Sequence, residues 1–183
     1  MAYITLTEHD LVTRSNRLYK LFSPLRGDRK RVALQRTNGV SGGFLALAAS
    51  DMASDRLNYR EAYFHTSVEA LRCRYFELWS TSGGGSLILN RAYFTLVQVD
   101  RTAQVFRDIL CLHTDPGGEN RYKQGPHLHI SCAEQPIPHC HFPLDLGCLD
   151  IVLENCDALT DAMQRAIQIV ATDVLHRYVD IQP

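Results

Sequence analysis

Three β-forming runs follow one another with very short connections, and this constrains the fold more than any other feature. Val68 to Trp79, Leu87 to Val99 and Val105 to His113 are each rich in β-branched and aromatic residues. Thr81-Ser82-Gly83-Gly84-Gly85 joins the first run to the second, and Asp100-Arg101-Thr102 joins the second to the third. Connections this short cannot carry a parallel crossover, so the runs predict an antiparallel meander. Leu87, Leu89, Tyr93, Val97 and Val99 share one parity and are expected on one face.

The flanking segments add helices and further extended chain. Thr5-Leu6-Thr7-Glu8 matches a capping box, with Leu11, Ser15, Leu18, Tyr19 and Phe22 following at helical spacing up to Pro24. Arg14, Arg17 and Lys20 lie toward the other side, as expected of a solvated face. Arg31 to Arg36 and Phe44 to Ala49 read as strands around a Thr37-Asn38-Gly39 turn, while Ser50 to Tyr63 stays ambiguous between loop and short helix. After the meander, Asp115-Pro116-Gly117-Gly118 ends the third run. Pro126 to Cys132 suits a fourth strand, and His139 to Leu144 an extended segment. Asp157 or Thr160 can cap a long last helix with an apolar stripe of Leu159, Met163, Ala166, Ile167, Val170, Val174 and Tyr178. The expected architecture is α+β: one domain over residues 1–183, its antiparallel sheet packed by an N-terminal and a long C-terminal helix.

Composition narrows the function classes. A formal net charge of −1 argues against a generally basic nucleic-acid coat but leaves room for a local basic groove. No apolar run approaches the roughly 18 residues of a bilayer span. Met-Ala-Tyr-Ile at the start lacks a basic region followed by an apolar stretch, so a cytoplasmic protein with no membrane partner is expected. The six Cys contain no Cys-x-x-Cys pair and read as reduced packing residues. Gly83-Gly84-Gly85 lacks the spacing and the Lys of a phosphate-binding loop.

The eight His are distributed unevenly, with His127, His129, His139 and His141 inside one 15-residue window. In a strand, alternate side chains share a face, so His127 and His129 point one way, as do His139 and His141. Pro136 and Pro138 bracket a bend that can bring the pairs together, and His113, near the end of the preceding run, could join them. Three roles suit such a cluster. Neutral imidazoles bind zinc or another divalent transition metal. Two His can instead perform metal-free acid–base catalysis on a ribose phosphodiester. Arg121, Tyr122 and Lys123, just upstream, would then hold a phosphate of an RNA substrate. The third role is structural, in half-buried sheet positions.

Two family resemblances bear on these readings. Tyr122-Lys123-Gln124-Gly125-Pro126-His127-Leu128-His129 resembles the Lys-Gly-Asp-His-x-His signature of TumE-type bacterial toxins, with Pro126 in place of the acidic residue. The order of meander, His-x-His strand, aromatic-containing extended segment and final helix is similar over roughly residues 68–178. The resemblance implies a toxin or anti-phage defence component that acts on RNA and is neutralised by an antitoxin or another defence-operon partner. Separately, Gly147-Cys148-Leu149-Asp150-Ile151 resembles the run around the catalytic Cys of ubiquitin-conjugating enzymes, which implies a thioester on Cys148. The leading expectation is a histidine-dependent hydrolase. The alternatives are the Cys148 conjugating enzyme and a non-catalytic metal-binding interaction module.

Overall fold

The computed structural model describes residues 4–25, 33–40, 43–51, 58–82, 84–100, 102, 105–114, 127–130, 140–143 and 156–175. Nine strands form one antiparallel sheet: β1 Thr5–Thr7, β2 Ala33–Val40, β3 Phe44–Ser50, β4 Tyr63–His65, β5 Leu71–Ser82, β6 Ser86–Asp100, β7 Val105–Thr114, β8 His127–Ile130 and β9 Cys140–Pro143. Among the described residues two helices accompany it, α1 Glu8–Leu21 and α2 Cys156–Ile169, the second running on into a π-helical turn at Val170–Leu175. The α+β class with an antiparallel sheet is therefore what the chain adopts. The main path runs β2-β3-β5-β6-β7-β8-β9, while β1 pairs with β6 and β4 with β5. Among the described residues no helix is long and apolar enough to cross a membrane.

The meander lies where the residue types put it, and its tight turn uses Gly84 and Gly85 at φ +83° and +80°. Only glycine adopts that region readily. Two features of β6 were not visible in its parity. Leu78 pairs with Arg91 but Trp79 pairs with Leu89, so Asn90 is an extra residue in β6. Its side-chain amide donates to Ser80 Oγ at 2.9 Å and to the Ile88 carbonyl at 3.2 Å. A bulge reverses the facing of everything beyond it. Leu87 and Leu89 therefore share a face with Ala92, Phe94 and Leu96, not with Tyr93, which corrects the single-parity expectation. A second irregularity places Ile109 of β7 as the extra residue opposite Leu96 and Val97.

Other expectations are corrected nearby. Asn38 and Gly39 lie within β2, where Thr37 pairs with Ala46 and Val40 with Phe44. One additional residue sits between them on β2, so this dipeptide accommodates a bulge instead of making the turn. The chain reverses just before Phe44, with Gly43 at φ +78°. The capping box is displaced by two residues: Thr7 is the N-cap, its Oγ1 accepting from Asp10 N–H while the Asp10 carboxylate accepts from Thr7 N–H. Thr5 cannot serve because it is paired with Ile88 in β1. The last helix begins at Cys156, ahead of both cap candidates, and Thr160 is buried inside it.

One core occupies the face of the sheet that carries Leu47, Tyr75, Trp79, Leu89, Phe94 and Leu112. Leu11, Leu18 and Phe22 from the α1 segment and Leu159, Met163, Ala166 and Ile167 from α2 belong to that same core. Phe22 stands at its centre, with its ring 4.9 Å from Tyr75 and 5.5 Å from Phe64.

Arg14 is part of this core, which corrects its assignment to a solvated face. Its side chain is 5% exposed, and its guanidinium Nε donates to Glu77 Oε2 at 2.8 Å while Nη2 donates to Oε1 at 2.5 Å. Glu77 also accepts from the Trp79 indole at 3.0 Å and from the Tyr75 hydroxyl, and Arg14 Nη1 donates to Thr160 Oγ1 at 3.1 Å. Burial disfavours the guanidinium charge, but the adjacent Glu77 outweighs it and holds Arg14 firmly protonated. Burial, reinforced by Glu77, raises the Tyr75 phenol well above its ordinary value. One ion pair thus ties α1, β5 and α2 together.

The opposite face of the sheet carries Ala46, Ala48, Phe76 and Leu78, with Phe44, Tyr59 and Tyr93 packed against them. The Tyr63 ring on β4 stacks on Phe106 of β7 at 4.6 Å, so this face curls inward across two intervening strands.

A three-histidine candidate metal centre

The pairing of β7 with β8 brings the histidines together on this second face. Leu110 pairs with Ile130, Cys111 with His129, Leu112 with Leu128 and His113 with His127. Leu110 and Leu112 are buried in the main core, and they fix this register. A slip of one residue would turn His113 into the core and a leucine out of it. His113 and His127 are direct cross-strand neighbours and His129 is the diagonal one, distances at which side chains interact.

The three rings are in contact. Ring centroids lie 4.1 Å apart for His113–His127, 4.1 Å for His113–His129 and 4.9 Å for His127–His129. The Nε2 atoms of His113 and His127 are 2.5 Å apart. Each residue offers one ligand atom, and these three atoms all lie within 4.8 Å of one another. His127 is 1% exposed and His113 8%, while His129 is half-buried. Tyr93, carried to this face by the Asn90 bulge, sets its ring edge-on against His113 at 4.6 Å.

Imidazole nitrogens bound to one zinc at about 2.0–2.1 Å with tetrahedral angles sit about 3.3 Å apart. The observed Nε2 pair would need to open by about 0.8 Å, a change that rotation about the His side-chain bonds supplies. An all-imidazole donor set suits zinc, iron, copper or nickel and not the hard, oxygen-seeking calcium or magnesium. The group could therefore hold a transition metal.

His127 and His129 share a face, as their spacing predicts. The partner that joins them is His113, which the sequence offered only as an addition. His141 lies on β9 in register opposite His129, so its position adjoins the group. His139, Arg121, Tyr122, Lys123 and Cys148 lie outside the described residues. Glu119, Glu134 and Asp145, carboxylates near the two His pairs in sequence, lie outside them too.

A separate His–carboxylate pair was not anticipated. Asp51 Oδ2 accepts from the His65 backbone N–H at 3.0 Å and lies against His65 Nδ1. His65 is on β4 and Asp51 directly follows β3, whereas the three-histidine group is on β7 and β8. Its residues fall in or beside the Ser50 to Tyr63 stretch that has no clear periodicity, so the sequence carried no signal for it.

Comparison with protein-family models, with curated proteins and with solved structures found no match to this chain.

Proposed function

We propose that His113, His127 and His129 hold a single divalent transition metal, zinc foremost, and that the metal activates water for hydrolysis. The observation that carries this reading is the convergence of three imidazoles from two adjacent strands, with all ligand atoms within 4.8 Å. A centre with three protein ligands keeps a fourth position for water, and zinc lowers the pKa of that water to about 7. Three imidazoles converging on one point exceed the two that metal-free acid–base catalysis needs, which favours the metal reading.

The substrate we propose is a phosphodiester, RNA foremost. Arg121 and Lys123 support it, because they immediately precede the strand that supplies two of the three ligands. An antitoxin partner follows if the chain acts as a toxin. One observation favours a second reading: His141, in register opposite His129, would close the metal site if it became the fourth ligand. The centre would then be structural, and the chain a metal-binding interaction module.

Cobalt substitution combined with an activity assay separates the two. Hydrolysis of a labelled oligoribonucleotide that is lost on chelation, restored by zinc or cobalt, and accompanied by a cobalt spectrum sensitive to added azide supports the open site. A cobalt centre indifferent to azide, in a protein inactive on RNA, supports the closed one. Hydrolysis that continues unchanged after complete metal removal contradicts both.

A further inference from the structure

Arg74 lies on the same face as the histidine group and in line with it. Its partner on β6 is Thr95, Thr95 pairs with Cys111 on β7, and Cys111 pairs with His129 on β8. These four residues form one row across the sheet. Thr95 continues the row chemically, with its Oγ1 3.4 Å from Cys111 Sγ. From β5 to β8 the row spans three strand spacings, about 14 Å between backbones.

The Arg74 guanidinium is held in place. Nη1 donates to the Arg60 carbonyl at 2.8 Å and to the Tyr63 hydroxyl at 3.4 Å, and Nη2 donates to Thr95 Oγ1 at 3.4 Å. Its central carbon lies 5.5 Å from the Tyr63 ring centre and 5.9 Å from that of Phe76. Aromatic faces attract the cation but do not neutralise it. Among the described residues no carboxylate lies within ion-pair distance of Arg74, and its buried Nε has no hydrogen-bond partner. Arg14, buried in the core on the opposite face, is by contrast matched by Glu77. Glu61 and Asp108 are close enough to act on Tyr63, yet neither bonds to the guanidinium.

A partly buried guanidinium with no carboxylate bonded to it is a ready partner for an incoming anion. Nη2 carries only the single 3.4 Å bond to Thr95, and with the unpartnered Nε beside it forms the edge that grips two oxygens of one oxyanion once the groups covering Nε move aside. We propose that Arg74 anchors a phosphate group of the substrate on the sheet face that also bears the three histidines. This deepens the metal-hydrolase reading by naming the group that fixes a phosphorylated substrate beside the centre. The Arg74 subsite itself needs no metal.

Calorimetric titration of full-length protein with inorganic phosphate tests it, with metal content measured on each sample. Wild type is expected to bind phosphate, Arg74→Gln to bind at least about tenfold more weakly, and Arg74→Lys, which keeps charge but loses the fork, to fall between. All should retain the wild-type metal content. Wild type that binds no phosphate at millimolar concentration overturns the proposal. So does an Arg74→Gln variant within twofold of wild type, including the case where chelation alone abolishes binding and the metal reading survives. If Arg74→Gln fails to fold by circular dichroism, Arg74→Lys decides: affinity within twofold of wild type overturns the proposal. Arg74-dependent binding in a protein that holds no metal sustains it while the metal reading fails.

Discussion

His113 and His127 face each other across the β7–β8 ladder with their Nε2 atoms 2.5 Å apart. At that distance one neutral imidazole donates its N–H to the lone pair of the other, and a shared metal ion takes the place of that proton only when the pair opens to about 3.3 Å. His129, one pleat further along β8, puts a third ring at 4.1 Å from His113.

If these rings form one site, His113 is worth as much as either histidine of the His127-Leu128-His129 run. Replacing His113 by Ala should weaken zinc binding by more than about 100-fold, beyond the 10–100-fold typical of losing an outer-shell partner. Competition against a chromophoric chelator measures this. Affinity within threefold of wild type would show that the site lies elsewhere.

The Arg14–Glu77 pair should matter most for stability among the polar contacts. Glu77→Ala strands the Arg14 charge and removes the acceptor of Tyr75 and Trp79, so a loss of about 3–5 kcal/mol is expected. Arg14→Ala should cost a similar amount, and the double variant clearly less than the sum. Urea unfolding followed by Trp79 fluorescence gives these values. Additive losses would mean that the two charges are not coupled.

Stability should fall on the alkaline side. Burial raises the Cys73 thiol well above its ordinary value, pushes Cys156 up to about 11, and raises Tyr75. Each group keeps its proton in the folded state at pH values where the unfolded chain releases it. Its contribution is present below the unfolded pKa and is lost as pH rises. Unfolding free energy should decline from about pH 9 upward, thiols first and the phenol above about pH 10. Cys73→Ala should flatten the first part of that decline. A flat profile between pH 8.5 and 10.5 would contradict the burial of these groups.

The N-cap separates two close alternatives. Thr7→Ala should cost about 1 kcal/mol, the usual worth of a side-chain cap. Thr5→Ala, an exposed site on a short strand, should change stability by less than about 0.5 kcal/mol. Equal effects, or a larger one at Thr5, would restore the box at Thr5 and Glu8.

What the sequence carried follows from the range of the interactions involved. The meander was legible because period-2 runs and short turns are local properties. His127 and His129 were legible for the same reason. Their join with His113 depends on register, which distant burial of Leu110 and Leu112 decides. The Asn90 bulge is invisible to parity because it is a change in parity. That hid Tyr93's place beside His113. Arg14 looked solvated because an arginine on a helix usually is. Only the buried Glu77, 63 positions away, reverses this. The two-residue error at the cap came from β1, since Thr5 is consumed by pairing with Ile88.

The most direct test of the account is the metal content of the purified full-length protein, determined by elemental analysis alongside the His113→Ala and His127→Ala/His129→Ala variants. One equivalent of a transition metal in wild type and less than a tenth of that in both variants is the predicted result. A metal-free wild type that also fails to take up zinc on titration would contradict the claim that these three histidines form a metal centre.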